Sequence, residues 1–269
     1  MTEDYVYGDK SPTGIDKDQL TNQQKDLLIN SKTFCMYPWI HLHGFPNGDA
    51  YPCCHSEMKY VSGNLKTQSI EEIWNDQPMR DLRVRMLTGQ ESQECKKCYE
   101  QESAGFFSMR QNANKHFGHH ISKATDLTEL DGTAKDFSIV YWDVRFSNLC
   151  NMKCRTCGPE LSSSWYDDQI KLFPTYNKPK FIDLKTNPNF MDDLKPHLDT
   201  IEEVYFAGGE ALITPQHYEI LDYWLETGKT DVKLRYTSNF SGLKYKDKSI
   251  LDYWKCFKDV RVAASLDTF

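Results

Sequence analysis

The chain has 269 residues, 39% hydrophobic content and a formal net charge of -7. That length and apolar content suffice for one large core or two ordinary ones, while the acidic balance argues against nucleic acid or an anionic membrane as partner, because phosphate neutralisation needs clustered Lys and Arg. The polar start "MTEDYVYGDKSPTGIDKD" lacks the apolar segment of a secretory signal, and no run of about eighteen apolar residues occurs, so the expected location is cytoplasmic.

Residues 1–30 read as an arm with one short helical stretch, "DQLTNQQKDLLIN". From Phe34, "WIHLHGFPNGDAYPCC" gives two short strands around an Asn47-Gly48 turn. Ser69 with Glu72 forms a capping box, Ile70, Ile73 and Trp74 make one apolar face, and Pro78 divides this helix from a second that ends near Gly89. The span 31–110 thus reads as a small α+β module that closes on "CKKC". Residues 111–136 are polar and weakly patterned, as in a linker; a solvated segment accounts for His116, His119 and His120, with metal ligation the alternative.

After 137 the pattern is strand, loop, helix, repeated: "IVYWDVRFS", "EEVYFAGGE", "VKLRYTSN" and "VRVAASLD" are strands, separated by helices such as "TPQHYEILDYWLETG". Such alternation predicts parallel strands with helical crossovers, an α/β fold with four strands present. Val140, Trp142, Val144 and Phe146 share one side while Asp143, Arg145 and Ser147 share the other; Val232, Leu234 and Tyr236 likewise oppose Lys233, Arg235, Thr237 and Asn239, and Val260, Val262, Ala264 and Leu266 oppose Arg261, Ser265 and Asp267. A sheet covered on both faces would be apolar on both. A barrel with helices outside and a substrate space within meets this pattern, and so does a sheet with one bare face.

Nine cysteines, an odd number, are unusual for a reducing compartment. Cys256 reads as a core residue, and Cys54 is ambiguous beside Cys53. Cys150, Cys154 and Cys157 have a C-x₃-C-x₂-C spacing in the loop after the first parallel strand. Three thiolates so placed can hold a cuboidal [4Fe–4S] cluster and leave one iron open to a ligand; zinc with a distant fourth ligand, or a closed cluster, are the alternatives. Cys35, Cys53, Cys95 and Cys98 form a complete four-thiolate set: the hairpin brings the first pair together and the C-x₂-C adds the second. Spacing alone also permits structural zinc there.

The three-cysteine loop, "FAGGEALIT" at 206–214, "TSN" at 237–239 and "SLD" at 265–267 resemble, in order, the strand-end motifs of the radical S-adenosylmethionine (radical SAM) enzymes. The resemblance implies a [4Fe–4S] cluster on Cys150, Cys154 and Cys157 whose open iron is chelated by S-adenosylmethionine. Gly208, Gly209 and Glu210 would receive the methionine ammonium, Asn239 would line the cofactor site, and Ser265 with Asp267 would hold the ribose hydroxyls. Thr156 departs from the family, where the position before the last cysteine is often aromatic. Cys35, Cys53, Cys95 and Cys98, with "GNL", "SIEEIW" and "CKKCYEQE", resemble the Twitch module, the shorter relative of the SPASM domain, and imply a second, auxiliary [4Fe–4S] cluster. In relatives that module often follows the barrel; here it leads.

The expected architecture is therefore a partial (β/α) barrel of the radical SAM type over 137–269, with four of six units, preceded by the Cys-rich Twitch module. A fragment, a second polypeptide completing the barrel, or dimerisation would explain the missing units. The implied activity is reductive cleavage of S-adenosylmethionine to a 5′-deoxyadenosyl radical, with an external electron donor such as flavodoxin or ferredoxin. The substrate, a peptide or a small molecule, is unknown, and no general base is nominated. Arg145, Lys233, Arg235 and Arg261 on the inner face would favour anionic groups or pair with Asp143 and Asp267. A non-catalytic iron–sulfur electron carrier or binding subunit, or a zinc-stabilised interaction protein, remain the alternatives.

Overall fold

The computed structural model of the protein describes residues 13–184 and 187–266. The chain divides into two compact units. The first takes the chain up to Leu42 with Tyr51–Ser62 and Glu71–Phe137; the second takes His43–Ala50, Gly63–Ile70 and the chain from Ser138.

In the first unit, Thr21 and Gln24 make a reciprocal capping box that starts α1 (Asn22–Lys25), and a wider π-type turn continues to Asn30. Helix α2 (Ile70–Trp74) is separated from α3 (Gln77–Leu87) by Asp76, whose side chain accepts from the Gln77 N–H, with Pro78 in the first turn where no N–H is needed. Arg83 of α3 is wholly buried yet fully used: its guanidinium donates to the carbonyls of Pro38, Trp74 and Gly132 and to Asn75 Oδ1. Burial lowers its pKa to about 9. Because a buried cation without partners is costly, these four acceptors tie three separate stretches to one side chain.

Helix α4 (Lys96–Ser103) and α5 (Met109–Phe117) follow, and then α6 (Ser122–Thr125). The stretch 111–136, which the polar pattern presents as a linker, is thus helical up to Thr125. Ser108 and Gln111 cap α5 reciprocally, and the buried Asn114 accepts from Met36 N and donates to Phe34 O at 2.9 and 3.0 Å. Polar residues serve here as buried hydrogen-bond partners rather than solvated spacers, which composition does not distinguish. His119 and His120 lie on a short 3₁₀ turn with their rings 4.2 Å apart.

The main sheet has seven strands in the order β3-β2-β1-β4-β5-β6-β9. Strands β1 (His41–Gly44) and β2 (Asp49–Tyr51) flank the expected turn, where Gly48 has φ +96 and Asn47 accepts from Asp49 N; β3 (Gly63–Asn64) pairs antiparallel with β2. Strands β4 (Tyr141–Val144), β5 (Glu203–Phe206), β6 (Lys233–Ser238) and β9 (Asp259–Ala264) are parallel neighbours. The fold is mixed α/β with a mostly parallel central sheet. The hairpin, assigned from sequence to the separate small module, instead extends this sheet: Arg145 N donates to Gly44 O at 2.9 Å.

Helices α7 (Tyr166–Leu172), α8 (Phe190–Leu194), α9 (Pro215–Glu226) and α10 (Ile250–Trp254) separate the parallel strands, with a small ribbon of β7 (Lys244–Tyr245) and β8 (Lys248–Ser249) before α10. Trp142, Val144, Val204, Phe206, Leu234 and Tyr236 are buried, as are Tyr218, Leu221 and Trp224 of α9. His217 donates to or accepts from Tyr236 Oη at 2.8 Å inside this aromatic layer, and burial drops its pKa to about 3. Cys256 is not a core residue but exposed: α10 ends at Trp254, so the helical period does not carry Cys256 inward, and Phe257 is buried instead.

The other face is polar, as the alternation predicts, but its charges are largely paired. Arg235 donates in a bidentate fork to Asp259, both bonds 2.8 Å, and lies 3.3 Å from Glu203. Asp143 is fully buried, 2.9 Å from His43 Nδ1. Among the described residues no helix is long and apolar enough to cross a membrane.

Candidate functional site

The first unit gathers Cys35, Cys53, Cys95 and Cys98 around one small cavity, together with Tyr37, His55, Glu94, Met109 and Arg110. Cys35 precedes a 3₁₀ turn (Tyr37–Trp39), Cys53 follows β2, Cys95 ends a 3₁₀ turn (Gln93–Cys95) and Cys98 lies in the first turn of α4. Cys54 does not line this cavity, so the geometry selects Cys53 from the adjacent pair. Burial pushes all four thiols upward: Cys35 and Cys53 well above the ordinary value, Cys95 to about 12, Cys98 in the same direction. Mutual repulsion of the sulfurs adds to burial at Cys35, Cys53 and Cys95.

Such a nest cannot carry four thiolates unless a cation neutralises them, and that is what a metal centre supplies. Arg110 provides part of the charge. It pairs with Glu102, donates to Ser31 O and Phe34 O, and stands close enough to Cys35 and Cys98 to favour their thiolates. Tetrahedral zinc would hold all four sulfurs on one ion at about 2.3 Å, whereas a cuboidal cluster takes each thiolate on its own corner.

The second unit holds the other set. A cavity of about 200 Å³ is lined by Cys150, Cys154 and Cys157, by Gly208, Gly209 and Glu210, and by Asn239 and Ser265, with Arg145, Tyr205 and Thr237 from the polar face of the sheet. Every one of these groups stands at or just beyond the carboxyl end of a parallel strand, where α/β folds place their sites. Asp267 lies outside the described residues.

The glycines are there for conformation and close approach. Gly208 has φ +77 and Gly209 φ +57; a Cβ on Gly209 would sit 2.5 Å from Leu149 O and 2.7 Å from Ser147 O. Glu210 N donates to Leu149 O at 2.7 Å and Gly209 N to Leu161 O at 3.1 Å, which joins this turn to the cysteine loop. The Glu210 carboxylate is buried and accepts from Leu212 N, Ser238 Oγ and Asn239 N at 3.1, 2.8 and 2.8 Å. It therefore fastens the end of β5 to the end of β6. Asn239 Nδ2 in turn approaches Cys150 Sγ at 3.8 Å and donates to Asn151 Oδ1 at 3.1 Å.

Several contributors were not singled out from the sequence. The fully buried Asn148 donates to Pro159 O and Lys180 O and accepts from Ile182 N, so it anchors the start of the cysteine loop. Four consecutive side chains, Ser162 to Trp165, reach back to the same loop. The sequence signal for it is the uninterrupted "SSSW" that follows the metal-ligand pattern. Arg145, which the strand alternation places on the inner face, also lines the cavity. Its stem lies against Gly208, where a Cβ would come within 2.6 Å, its guanidinium sits over Phe45 at 5.0 Å, and its buried Nε has no hydrogen-bond partner.

Residues 35–99 match the family model of SPASM, an iron–sulfur cluster-binding domain. The match spans all four cysteines of the first set and fits an auxiliary-cluster module of a radical SAM-associated protein. No curated protein and no solved structure matches the chain.

Proposed function

We propose that the protein is a radical SAM enzyme with an auxiliary iron–sulfur cluster. The observation that carries this reading is the single cavity in which three cysteines of one loop meet Gly208, Gly209, Glu210, Asn239 and Ser265 from the ends of the next three strands. Iron–sulfur binding at Cys35, Cys53, Cys95 and Cys98 agrees with it, since a SPASM domain is where such enzymes carry a further cluster.

In this reading Cys150, Cys154 and Cys157 hold a [4Fe–4S] cluster, and the four parallel strands belong to a partial barrel. When bound, the cluster and S-adenosylmethionine supply one-electron cleavage of the sulfonium to a 5′-deoxyadenosyl radical. The chain's own residues bind and orient. Gly208 and Gly209 let backbone approach the methionine ammonium, while Glu210 braces their turn against β6. Arg145, a cation with a spare buried donor, offers a bidentate seat for a carboxylate. Ser265 and Asn239 frame the nucleotide, and Asn239 steadies Cys150. The substrate would be a peptide or small molecule that gives up a hydrogen, and an external electron donor of flavodoxin or ferredoxin type would supply the electron.

Anaerobic reconstitution with iron and sulfide tests this directly. The expected chain is brown with about eight irons for two clusters, its reduced spectrum shifts on adding S-adenosylmethionine, and 5′-deoxyadenosine accumulates under reduction. A centre whose spectrum ignores the nucleotide would instead make the chain an iron–sulfur electron carrier, and a colourless zinc protein would remove both readings.

A further inference from the structure

The loop that carries Cys150, Cys154 and Cys157 contains no helix or strand, so its shape depends on what its backbone groups bond to. Four neighbouring side chains answer for much of it. Ser162 Oγ donates to Met152 O at 2.6 Å, Ser164 Oγ to Cys150 O at 2.8 Å and Trp165 Nε1 to Cys154 O at 3.1 Å, while Ser163 Oγ accepts from Cys150 N at 3.3 Å. Two of the three cysteines are thus held by their own peptide groups through three bonds, and Met152 between them by a fourth. Ser162 and Ser163 are buried, where an unbonded hydroxyl would be costly.

The strength of the pattern lies in its direction. Serines at the start of a helix ordinarily serve their own helix by capping, and neither the 3₁₀ turn Ser163–Trp165 nor α7 has a side-chain cap bond. These hydroxyls serve the loop instead. A three-cysteine site needs this more than a four-cysteine one, because it has one protein bond fewer to its metal and all its ligands come from one irregular segment.

We infer that Ser162-Ser163-Ser164-Trp165 is a preorganising clamp: it holds the three-cysteine loop in its ligating shape before metal arrives and sets how long a cluster is retained there. The inference rests on the cluster reading of Cys150, Cys154 and Cys157. Its residues are positioning residues, since they act through the loop and not on a substrate.

The test uses the full-length chain in two backgrounds. Cys95→Ala/Cys98→Ala leaves only the three-cysteine site, and Cys150→Ala/Cys154→Ala leaves only the four-cysteine site. In the first, Ser164→Ala and Trp165→Phe should speed chelator-driven iron loss about 5- to 30-fold, as expected for losing one or two loop hydrogen bonds, and Ser164→Thr should restore retention. In the second, the same variants should leave the rate unchanged. Hydrogen exchange in the metal-free chain should rise over 150–157 in the variants. Unchanged iron loss with unchanged exchange would overturn the clamp, and so would equal acceleration at both sites, which would mark a general loss of stability. If the first background binds no iron–sulfur cluster at all, the cluster reading fails, and hydrogen exchange alone then decides whether the clamp exists.

Discussion

The two cysteine sites of this protein solve opposite problems. At the first, four thiols from a turn, a strand end and a helix converge on one small cavity, Cys35 and Cys98 buried and Cys53 and Cys95 half-exposed, and desolvation pushes every thiol upward. At the second, three half-exposed cysteines come from one loop and share a cavity with glycines and polar side chains. A closed ligand set suits a centre that stores charge or holds the fold together, whereas an incomplete set beside a cavity suits one that binds something. The contrast lies in how each set is held: the four-cysteine set is gathered from separate turns, a strand end and a helix, whereas the three-cysteine set lies on one loop braced by side-chain hydrogen bonds.

The largest expected effect breaks the comparison outright. Cys154→Ala should abolish 5′-deoxyadenosine formation and remove about half of the iron, while Cys98→Ala should also remove about half yet leave the nucleotide-dependent spectral shift in place. Iron analysis and spectroscopy on the two variants check this; a shift lost in both would merge the two sites into one functional unit. Next, Gly209→Ala should cost about 1–2 kcal/mol from its left-handed backbone alone, and the added carbon would press on Leu149 O from 2.5 Å. Thermal denaturation together with iron retention should show the three-cysteine site failing before the four-cysteine one.

Arg145→Gln sharpens the comparison at the level of one charge. Loss of a charge-assisted pair should weaken S-adenosylmethionine binding about 10- to 100-fold, followed by spectral titration, with Arg145→Lys in between. Unchanged affinity would exclude Arg145 as the carboxylate seat.

The smallest effect concerns pH. A thiol whose pKa is raised on folding stabilises the folded chain fully below the ordinary value of 9.0, and that contribution fades as pH climbs toward about 12. The metal-free chain should therefore melt at progressively lower temperature above about pH 9, and Cys95→Ala should reduce the slope. A flat profile in the metal-free chain would show that the four thiols are not buried together.

The strand and helix pattern was legible because alternation and helical periodicity are local. Trp142 and Val144 against Asp143 and Arg145 already show which side of β4 is apolar, though not that Asp143 is itself buried beside His43, and Asn47-Gly48 marks the hairpin turn. The helical part of the polar stretch, up to Thr125, was not legible as helix, since Gln111 and Asn114 look solvated until their buried partners are known. Nor was the exposure of Cys256, which depends on where α10 stops.

By itself the sequence determined which cysteines form two groups, because spacing along a chain limits which sulfurs can meet, and the order of the parallel strands. Tertiary structure alone decided that the hairpin joins the edge of β4, that Arg235 is spent on Asp259 and Glu203, and that Ser162 to Trp165 bond to the cysteine loop. These are contacts between residues many positions apart, and only the folded chain's geometry selects which of several chemically equivalent partners comes within hydrogen-bonding reach.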